Sequence, residues 1–364
     1  MKIGIAGCGN ISGVYLENLR RFAGMEVVAC ADLDLERARK KAARYGVPVA
    51  CSVEELLDDP AVDLILNLTP PRSHAAISLA ALEAGKHVYS EKPLAVDPEE
   101  GRRILSLAKR KNLRVGCAPD TFFGAGLSTG RRLLQEGAIG RPVGATAFMM
   151  SRGPERWHPN PAFFYEKGGG PLFDMGPYYL TALVILLGPV RRVTGSASIS
   201  FPVREAIGPG NKPRRFPVHV PTHVAGVLDF AGGAVGTIIT SFDVWGSTLP
   251  HMEIYGEEGT LVLPDPNRFD GVIRLRGKDD RDWREIPSEG AYRENSRGIG
   301  LADMIRAIRE NRPHRASGEL ALHVLDIIHE MHQSSRTGAH REVASDVAFA
   351  WERGESCRWG GTWK

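Results

Sequence analysis

The sequence predicts an α/β protein whose first third forms a doubly wound parallel sheet. A glycine-rich turn at residues 7–12 separates a predicted strand from a predicted helix, and strand and helix patterns then alternate to residue 118. Short strands dominate much of the chain after residue 190. Such alternation is typical of a parallel sheet covered on both faces, and the later change of pattern indicates a second domain. A chain of 364 residues is long enough for both.

The glycine-rich turn has the spacing of a dinucleotide-binding turn. It lies between an apolar strand at residues 2–6 and a helical pattern at residues 14–22. Gly7 permits a tight turn, Gly9 lets the backbone approach a pyrophosphate, and Ser12 is small where the helix packs on the strand. The amides at the helix start then face the phosphates. The predicted cofactor contacts of this turn are Gly7, Gly9, Asn10, Ile11 and Ser12.

The second predicted strand, residues 26–31, ends at Asp32. In such folds an acidic residue about 20 positions beyond the glycines accepts hydrogen bonds from the adenosine ribose. Because no arginine or serine follows directly, the sequence favours NAD over NADP. Arg37 and Arg39 are close enough in sequence to leave NADP as the alternative. Asp34 is the better candidate for the N-cap of the next helix.

The alternation continues along the rest of this domain. Strands are predicted at residues 49–52, 63–68, 87–90 and 114–118, and helices at 36–45, 53–58, 73–84 and 98–111. Residues that follow parallel strands share one edge of the sheet, where open α/β sheets bind ligands. Four candidate residues fall there: Thr69, Pro70, Glu91 and Lys92. His74, one turn into a helix, is equally consistent with a cofactor contact and with a half-buried structural role.

Lys92 stands between Glu91 and Pro93, directly after the apolar strand at 87–90. Proline restricts the residue before it to extended conformations, so the ammonium group has a defined direction. A lysine held beside a nicotinamide can bind a substrate hydroxyl, help to remove its proton and stabilise the resulting oxyanion. Alone, this triplet is more simply a surface lysine at a strand end. Its place after a dinucleotide turn makes Lys92 a catalytic candidate.

A domain boundary is predicted near Pro119, which separates a nucleotide-binding domain, 1–119, from a second domain, 120–364. A long loop early in the second domain mixes aromatic side chains with hydrogen-bond donors. That composition suits a sugar, which offers apolar C–H faces and polar hydroxyl edges. Trp157 and His158 are therefore predicted substrate contacts. The alternative is that these rings only hold the loop against the domain.

A second glycine run, at residues 168–170, precedes a long apolar helix predicted to reach residue 187. On one continuous helix, Asp174, Tyr178 and Thr181 would share a face because they are four and three positions apart. A carboxylate and a phenol on the first turns of such a helix indicate a functional site. Helix-end electrostatics is the alternative for Asp174, and core packing is the alternative for Tyr178.

The remaining elements follow from strand alternation and from glycine or proline turns. Strands are expected at residues 143–151, 193–201, 219–230, 234–243, 252–256, 260–263 and 272–276. Residues 202–217 are expected to form a polar, proline-rich connection without strands. Helices are expected at residues 124–136, 299–310 and 319–335.

Composition argues against several classes of protein. A net charge of +3 is too small and too dispersed to indicate a nucleic-acid partner. The cysteines are Cys8, Cys30, Cys51, Cys117 and Cys357. They form no metal-ligand spacing, so no metal is expected, and their odd number favours reduced thiols in a cytoplasm. With no signal peptide and no apolar run of membrane-spanning length, we expect a cytoplasmic protein without a membrane partner.

Together these motifs resemble the Gfo/Idh/MocA family, the glucose-fructose oxidoreductase and inositol dehydrogenase group. They are the glycine turn, Asn67-Leu68-Thr69-Pro70 with His74, Glu91-Lys92-Pro93, and the glycine run that leads to Tyr178. The resemblance implies a Rossmann domain followed by an α/β domain with a large, mostly antiparallel open sheet. It also implies NAD(P)-dependent chemistry on polyols or pyranoses, an active-site lysine that matches Lys92, and a homo-oligomer, dimer or tetramer, formed through the exposed sheet face.

One part of the family pattern is altered in this chain. The family usually has Asp-x-Gly-x-His followed by a further Asp, and Asp174 and Gly176 match its start. Tyr178 stands where the His is expected, and Thr181 where the second Asp is expected. The resemblance therefore implies that Asp174 positions Lys92 or a neighbouring hydroxyl, and that Tyr178 replaces the His as proton relay or hydrogen-bond partner.

We expect an oxidoreductase that transfers hydride between a hydroxyl carbon of a sugar, sugar derivative or cyclic polyol and NAD. The predicted catalytic residues are Lys92, Asp174 and Tyr178, and these three with Trp157 and His158 are the predicted substrate contacts. Two alternatives stay open. One is a non-catalytic, dinucleotide-binding regulatory protein. The other is an enzyme whose NAD stays tightly bound and is recycled within one turnover.

Overall fold

The structure of the protein is a computed structural model that describes residues 1–158, 160–207 and 213–347. Its strands are β1 (Lys2–Ala6), β2 (Glu26–Ala31), β3 (Val49–Cys51), β4 (Leu64–Asn67), β5 (His87–Ser90), β6 (Val115–Cys117), β7 (Pro142–Met150), β8 (Val190–Ser198), β9 (Val203–Ile207), β10 (Pro213–Pro217), β11 (His223–Phe230), β12 (Val235–Ser241), β13 (Met252–Gly256), β14 (Gly259–Leu263), β15 (Ile273–Gly277), β16 (Arg284–Ile286) and β17 (Arg341–Glu342).

The helices alternate with the early strands and then become sparse. They are α1 (Asn10–Leu19), α2 (Leu35–Tyr45), α3 (Val53–Asp58), α4 (His74–Glu83), α5 (Pro98–Arg110), α6 (Ala125–Gln135), α7 (Gly170–Asp174), α8 (Gly176–Leu187), α9 (Ile299–Arg309) and α10 (Gly318–Thr337).

The first compact unit contains a six-stranded sheet in the order β3-β2-β1-β4-β5-β6. Every pairing in it is parallel. Apolar side chains of the central strands, among them Ile3, Ile5 and Leu66, are fully buried, as expected for strands covered on both faces. The prediction of a doubly wound parallel sheet is confirmed. Helix α1 begins at Asn10, four residues earlier than predicted, because the turn leads directly into the helix.

The first unit also includes a later part of the chain. Its described residues are Met1–Phe123 and Asn295–Leu325, whereas the sequence prediction assigned all of 120–364 to the second domain. The Asn18 side chain donates to the carbonyl of Asn295 at 2.9 Å and to that of Arg297 at 3.0 Å. Such contacts join residues that are far apart in the sequence, so no local sequence pattern predicts them.

Asp120 connects the segment after β6 to the start of α9. Its Oδ2 accepts hydrogen bonds from the amides of Gly298 at 2.8 Å and Gly300 at 3.0 Å, and the residue is 1% exposed. Burial raises the pKa of Asp120 to about 6, although the two amide donors favour the charged form. This carboxyl group therefore titrates close to the pH range in which proteins usually work.

The second unit is built on a nine-stranded sheet in the order β16-β15-β14-β13-β7-β12-β11-β8-β17. Strands β7 and β12 pair in parallel, and the other pairings are antiparallel. Helix α8 contacts β7 and carries fully buried Leu180, Leu183 and Val184. The expected large, mostly antiparallel sheet is confirmed.

A hairpin replaces the irregular connection predicted at 202–217. Strands β9 and β10 pair antiparallel, with Arg204 opposite Phe216. Both side chains are buried, at 4% and 6% exposure. The prediction of a connection without strands is wrong, because prolines and charged residues hide the alternation and one inward-facing residue is itself charged. The two short strands β16 and β17 were also not predicted.

Three further findings concern the described residues. No described helix is both long and apolar enough to cross a membrane. No group of three or more His, Cys, Asp or Glu side chains in these residues could hold a metal ion. The described cysteines are buried, free thiols: Cys8, Cys30, Cys51 and Cys117. Cys357 lies outside the described residues.

We expect Asp120→Asn to change how stability depends on pH. The folded pKa of Asp120, about 6, lies above the ordinary value of 3.8, so the folded protein holds this proton more tightly than the unfolded chain. The stability of the wild type relative to the variant is therefore greatest below about pH 4, falls as the pH rises to about 6, and is constant above that. The fall amounts to about 3 kcal/mol.

Urea denaturation of both proteins between about pH 4 and pH 8 measures this difference. Asp97→Asn is the control, because Asp97 is an exposed cap of α5 that accepts from the Glu99 amide at 2.9 Å. A wild-type-minus-Asp120→Asn difference that stays constant from about pH 4 to pH 7 contradicts the prediction.

Candidate functional site

Gly7 lies just after β1, where the chain passes very close to the segment that follows β4. Its φ is +101°, and a Cβ here would lie 2.6 Å from the carbonyl carbon and oxygen of Leu68 and 2.8 Å from the amide nitrogen of Thr69. The Gly7 amide donates to the Ala31 carbonyl at 2.8 Å. Because no side chain fits, glycine at this position permits the close approach of the segments that follow β1 and β4.

Gly9 and Ser12 shape the start of α1. Gly9 is the N-cap and makes no side-chain cap, and a Cβ built on it would meet no atom of the described residues within 4 Å. Ser12 is fully buried and donates from Oγ to the Gly9 carbonyl at 2.7 Å. Asn10 is exposed and Ile11 is half-buried. The open space at Gly9 and the uncapped helix amides fit the diphosphate of a dinucleotide.

Asp32 lies directly after β2, beside the glycine turn. Its Oδ2 accepts from the Cys8 amide at 2.8 Å, and its Oδ1 accepts from the Asp34 amide at 3.0 Å. Arg37 Nη1 lies 3.4 Å from the same Oδ1. These contacts fix the direction of the Asp32 carboxylate. Asp34 caps α2 as predicted, because its side chain accepts from the Arg37 amide at 3.2 Å.

An open cavity of about 580 Å³ lies over this turn. It is lined by Cys8, Gly9, Asn10, Asp34, Glu36, Arg37, Lys40, Lys41 and Arg44. Lys41 donates from Nζ to the Gly9 carbonyl at 3.3 Å. Arg39 instead pairs with Glu36 at 2.6 Å, so Arg37 is the one of the two predicted arginines that lines the cavity. Sequence analysis missed the other basic lining residues, although their spacing of three, four and seven positions from Arg37 marks one helix face.

Asn67 organises the segment after β4. Its side chain is fully buried; Oδ1 accepts from Thr69 Oγ1 at 2.6 Å. Its Nδ2 donates to the His74 carbonyl at 3.0 Å and to Ser78 Oγ at 3.2 Å. Thr69 is half-buried and Pro70 is exposed, so this segment presents a short, fixed surface at the sheet edge.

His74 is placed inside the domain, at 1% exposure. Its Nδ1 lies 2.6 Å from the carbonyl oxygen of Pro93, and its Nε2 lies 2.7 Å from the carbonyl oxygen of Thr69. Burial lowers the pKa of His74 below its ordinary value. The imidazole therefore links the segment after β4 to the segment after β5, where Lys92 lies.

Glu91 follows β5 directly and is largely buried. Its Oε1 accepts from the Tyr15 hydroxyl at 2.8 Å, and its Oε2 accepts from the Lys92 amide at 3.0 Å. Burial and the nearby Glu91 charge raise the pKa of Tyr15 well above its ordinary value. Both carboxylate oxygens thus have protein donors, and one of them holds the backbone of Lys92, whose side chain is half-buried.

In the second unit, Asp174 and Tyr178 lie on two different helices. Helix α7 ends at Asp174 and α8 begins at Gly176, with Met175 between them at φ −106° and ψ −28°. The Tyr178 amide donates to the Met175 carbonyl at 3.1 Å. The prediction of one continuous helix is wrong. Pro177 has no amide hydrogen, so it cannot extend the hydrogen bonding of α7 and suits the first turn of a new helix.

The side chains around this break differ in exposure. Tyr178 and Thr181 are buried, at 8% and 3% exposure, whereas Asp174 is half-buried. Sequence analysis missed the neighbouring Tyr179, which is 1% exposed and whose hydroxyl lies 3.0 Å from His251 Nδ1. Its polar partner comes from a distant loop, so spacing along the helix gives no signal for it.

The predicted loop residues Trp157 and His158 have different surroundings. Trp157 is 69% exposed, and its ring centroid lies 5.5 Å from that of His158 and 6.2 Å from that of Phe164. His158 is half-buried, with its ring 5.1 Å from that of Phe164. The indole is available for contact with a ligand, while His158 packs within the loop.

Sequence analysis also missed a buried ion network behind this loop. Arg204 is 4% exposed; its Nη1 lies 3.1 Å from Glu155 Oε1, and its Nη2 pairs with the Asp243 carboxylate. Tyr165 donates to Glu155 Oε1 at 2.7 Å, and Thr222 donates to Asp243 Oδ2 at 2.7 Å. Burial raises the pKa of Tyr165. The network joins four separate stretches of the chain, so no single stretch of sequence reveals it.

Comparison with family models agrees with these motifs over most of the chain. Residues 1–118 match a model described as "Oxidoreductase family, NAD-binding Rossmann fold". Residues 128–262 match the "GFO/IDH/MocA C-terminal domain". The protein belongs to the Gfo/Idh/MocA family of oxidoreductases. The resemblance predicted from the sequence is confirmed, and the family is described as NAD-binding.

Several relatives of this Gfo/Idh/MocA protein have named activities. A dTDP-3,4-didehydro-2,6-dideoxy-alpha-D-glucose 3-reductase of Saccharopolyspora spinosa is 30% identical over 81% of this chain and 85% of its own. A myo-inositol 2-dehydrogenase of Thermotoga maritima is 26% identical over 88% of this chain and 91% of its own. A levoglucosan dehydrogenase of Pseudarthrobacter phenanthrenivorans is 29% identical over 64% of this chain, and the match spans 63% of that enzyme.

A solved structure supports the fold. Levoglucosan dehydrogenase in complex with NADH and levoglucosan has a TM-score of 0.80 and 24% identity, with 95% of this chain and 100% of that chain covered. At this identity the likeness concerns the fold alone. It agrees with a Gfo/Idh/MocA chain that has a parallel N-terminal sheet and a large mixed sheet.

The two turn glycines provide a matched test of structure against binding. We expect Gly7→Ala to destabilise the fold by about 1–3 kcal/mol or more, because the positive φ and the Leu68 backbone leave no place for a Cβ. Gly9 has φ −71° and ψ −163°, which any residue can adopt, and open space around it. We therefore expect Gly9→Ala to fold normally but to bind dinucleotide more weakly.

Urea denaturation and fluorescence titration with NADH measure the two effects separately. If Gly7→Ala has the stability of the wild type, the close approach of the Leu68 backbone does not require glycine at this position. If Gly9→Ala binds NADH as tightly as the wild type, the dinucleotide does not occupy the open space at Gly9.

Proposed function

We propose that the protein is an NAD-dependent dehydrogenase that acts on a hydroxyl carbon of a sugar, a sugar derivative or a cyclic polyol. One observation carries the proposal: Lys92 follows β5 at the same edge of the parallel sheet at which the glycine turn follows β1. Open α/β sheets bind nucleotides and carry reactive groups at this edge. The named activities of the relatives, which reduce or oxidise sugars and inositol, support the substrate class.

Lys92 has the central chemical role in this proposal. Its ammonium group donates a hydrogen bond to the reacting hydroxyl and stabilises the charge that develops on oxygen, which eases loss of the hydroxyl proton to the relay that we assign to Tyr178. The Glu91 contact with the Lys92 amide and the His74 contact with the Pro93 carbonyl hold the backbone on both sides of the lysine. The nicotinamide of a bound NAD would accept the hydride from carbon.

The other predicted site residues have proposed roles that rest on the family pattern and on composition. Asp174 positions Lys92 or a substrate hydroxyl, and Tyr178 serves as proton relay in place of the family His. Trp157 and His158 contact the substrate, and the 69% exposure of the Trp157 indole supports its part. No metal is required, since the lysine supplies positive charge beside the developing oxyanion.

NAD is the proposed cofactor, with NADP as the weaker alternative. The residues proposed to hold it are Gly7, Gly9, Asn10, Ile11, Ser12, Asp32, Thr69, Pro70, His74, Glu91 and Lys92. His74 and Glu91 are buried and bonded to protein groups, so their part is to hold the segments that face the cofactor. The carboxylate of Asp32 accepts from a ribose hydroxyl but repels a 2′-phosphate. The Arg37 guanidinium beside it keeps NADP open.

A homo-oligomer, dimer or tetramer, formed through the open face of the second sheet is also part of the proposal. Val227 and Val235 on neighbouring strands β11 and β12 are 36% and 50% exposed, and Ile239 and Phe148 on the same part of the sheet are half-buried. Apolar exposure of this kind is typical of a subunit contact. Light scattering after gel filtration measures the oligomeric state.

Buried free thiols support a reducing, cytoplasmic location.

One experiment tests the function against its alternatives. The purified protein is examined for the near-ultraviolet absorbance of bound NADH and is then supplied with NAD and a panel of sugars and polyols. Steady formation of free NADH supports the dehydrogenase. Bound cofactor with redox-neutral products would indicate NAD recycled within one turnover. Dinucleotide binding without chemistry would indicate a regulatory protein, an alternative that the replacement of the family His by Tyr178 favours.

Asp32→Ala should weaken binding of NAD more than binding of NADP. The variant loses the acceptor for the ribose 2′-hydroxyl and also the charge that repels a 2′-phosphate. Fluorescence titrations with NADH and NADPH give the two dissociation constants. If the wild type already prefers NADPH, Arg37 rather than Asp32 governs cofactor choice, and Arg37→Gln should then reverse the preference.

Lys92→Met should retain the fold and NAD binding but lose turnover. Removal of a positioned donor to a developing oxyanion typically lowers the rate by about 10²–10³-fold. Steady-state kinetics on the best substrate of the panel measures kcat, and Lys111→Met, which alters a surface lysine paired with Glu83, is the control. A Lys92→Met variant with near-normal kcat excludes this lysine from the chemistry.

Tyr178→Phe should lower kcat by about 10²-fold and leave KM for NAD nearly unchanged, because it removes only a proton-relaying hydroxyl. Tyr178→His should restore part of the activity and move the pH profile towards neutral, since an imidazole ordinarily titrates near 6.5. Tyr179→Phe removes a neighbouring hydroxyl and is the matched control. If Tyr178→Phe keeps full kcat and the wild-type pH profile, the phenol has a packing role only.

A further inference from the structure

Two loops at one edge of the second sheet carry charged side chains to which the proposed reaction assigns no role. Parallel strands β7 and β12 end side by side, and the loops that follow them, residues 151–158 and 242–250, are joined by backbone hydrogen bonds. The Ser151 amide donates to the Ser241 carbonyl at 3.0 Å, and the Val244 amide donates to the Ser151 carbonyl at 3.0 Å. These loops therefore hold their side chains in a fixed arrangement.

Two arginines from the first loop lie on one indole from the second. The guanidinium carbons of Arg152 and Arg156 lie 4.6 Å and 4.9 Å from the centroid of the Trp245 ring. Arg152 also lies 4.7 Å from the ring centroid of Phe201. Trp245 is 71% exposed and Phe201 is 41% exposed, which is unusual for large aromatic side chains. Stacking of this kind orients guanidinium groups and leaves their edge donors free for a ligand.

Each of the nearby carboxylates pairs with another group, and Glu155 does so through Oε1. Glu155 and Asp243 pair with Arg204, a third guanidinium at this edge, and also accept from Tyr165 and Thr222. Among the residues that the structure describes, no carboxylate lies within ion-pair distance of Arg152 or Arg156. Three guanidiniums thus face two carboxylates, and the excess positive charge lies at the exposed side of the cluster.

An unused donor gives independent support. Arg152 Nη1 is buried and has no hydrogen-bond partner within the described part of the chain. Glu155 Oε2 and Arg204 Nε are also buried without a partner there. A buried polar atom without a partner destabilises the protein, and a ligand that completes its hydrogen bonding relieves this cost. For a guanidinium, the matching ligand is an oxyanion.

We propose that Arg152 and Arg156, oriented by Trp245, form a subsite for an anionic group, so that the substrate is an acidic sugar bearing a carboxylate or a phosphate. The inference rests on the proposed function, because it names the class of sugar that the dehydrogenase takes. The exposed indole offers an apolar face to the sugar ring next to the charged group.

Calorimetric titration of the full chain tests the subsite without requiring turnover. D-Glucuronate, D-glucose 6-phosphate and D-glucose are titrated separately into the wild type and into Arg152→Gln/Arg156→Gln. We expect at least one anionic sugar to bind the wild type at least about tenfold more tightly than glucose, and the double variant to lose this advantage. The tighter of the two anionic sugars identifies carboxylate or phosphate. Equal binding of charged and neutral sugars, or an unchanged advantage in the double variant, overturns the proposal.

Two variants guard against indirect effects. Arg141→Gln removes an exposed arginine that pairs with Glu257 at 2.6 Å, and it should retain the full preference for the anion. If the double variant does not fold, Arg156→Gln alone alters an exposed side chain and should weaken binding of the anionic sugar severalfold. A change in oligomeric state without a change in sugar binding would assign these arginines to a contact between copies of the chain and would also overturn the proposal.

Turnover with NAD is measured in parallel to separate the two proposals. Anion-selective binding without NADH formation leaves the subsite in place and removes the dehydrogenase function. Oxidation of neutral sugars without any anion preference supports the dehydrogenase function and overturns the anion subsite.

Discussion

The candidate cofactor site depends on a close approach between two backbone segments, one after β1 and one after β4. At Gly7 the Leu68 backbone lies where a Cβ would have to be, so the two segments meet without an intervening side chain. This contact, together with the Gly7 hydrogen bond to Ala31, fixes the start of α1 relative to the ends of β2 and β4. The Asp32 carboxylate, held by the Cys8 and Asp34 amides, and the start of α1, which Gly9 leaves without a side-chain cap, lie beside this contact.

A second set of contacts extends this arrangement to Lys92. Asn67 holds Thr69, and His74 lies between the carbonyl oxygens of Thr69 and Pro93. Burial disfavours the imidazolium form, and a neutral imidazole can donate to only one of the two carbonyls. The Glu91 carboxylate, which accepts from the Lys92 amide, holds the lysine segment in either tautomer of His74. The side chains that hold the segments around Lys92, those of Asn67, His74 and Glu91, are thus largely buried.

The second unit uses a different principle, in which charged groups are ordered by aromatic rings and by one another. Arg204 holds two carboxylates in the interior, while Arg152 and Arg156 lie on the exposed Trp245. A guanidinium is more weakly hydrated than an ammonium, so it tolerates such half-buried positions and keeps its charge. The arginine side chains at this sheet edge are therefore held in defined positions by the rings and carboxylates that they contact.

The sequence by itself determined the parallel sheet, the dinucleotide turn, the Asp34 cap and the family, because each depends on residues that are neighbours along the chain. Each of these features can be read from a few adjacent residues, such as a strand pattern, a G-x-G spacing or a Glu-Lys-Pro triplet. Only the tertiary structure decided which arginine lines the cavity, where the apolar helix breaks at Met175, and that residues 295–325 return to the first unit. It also revealed the β9–β10 hairpin and the arginine cluster at Trp245. These features depend on contacts between residues far apart in sequence, and burial, not local propensity, selects them.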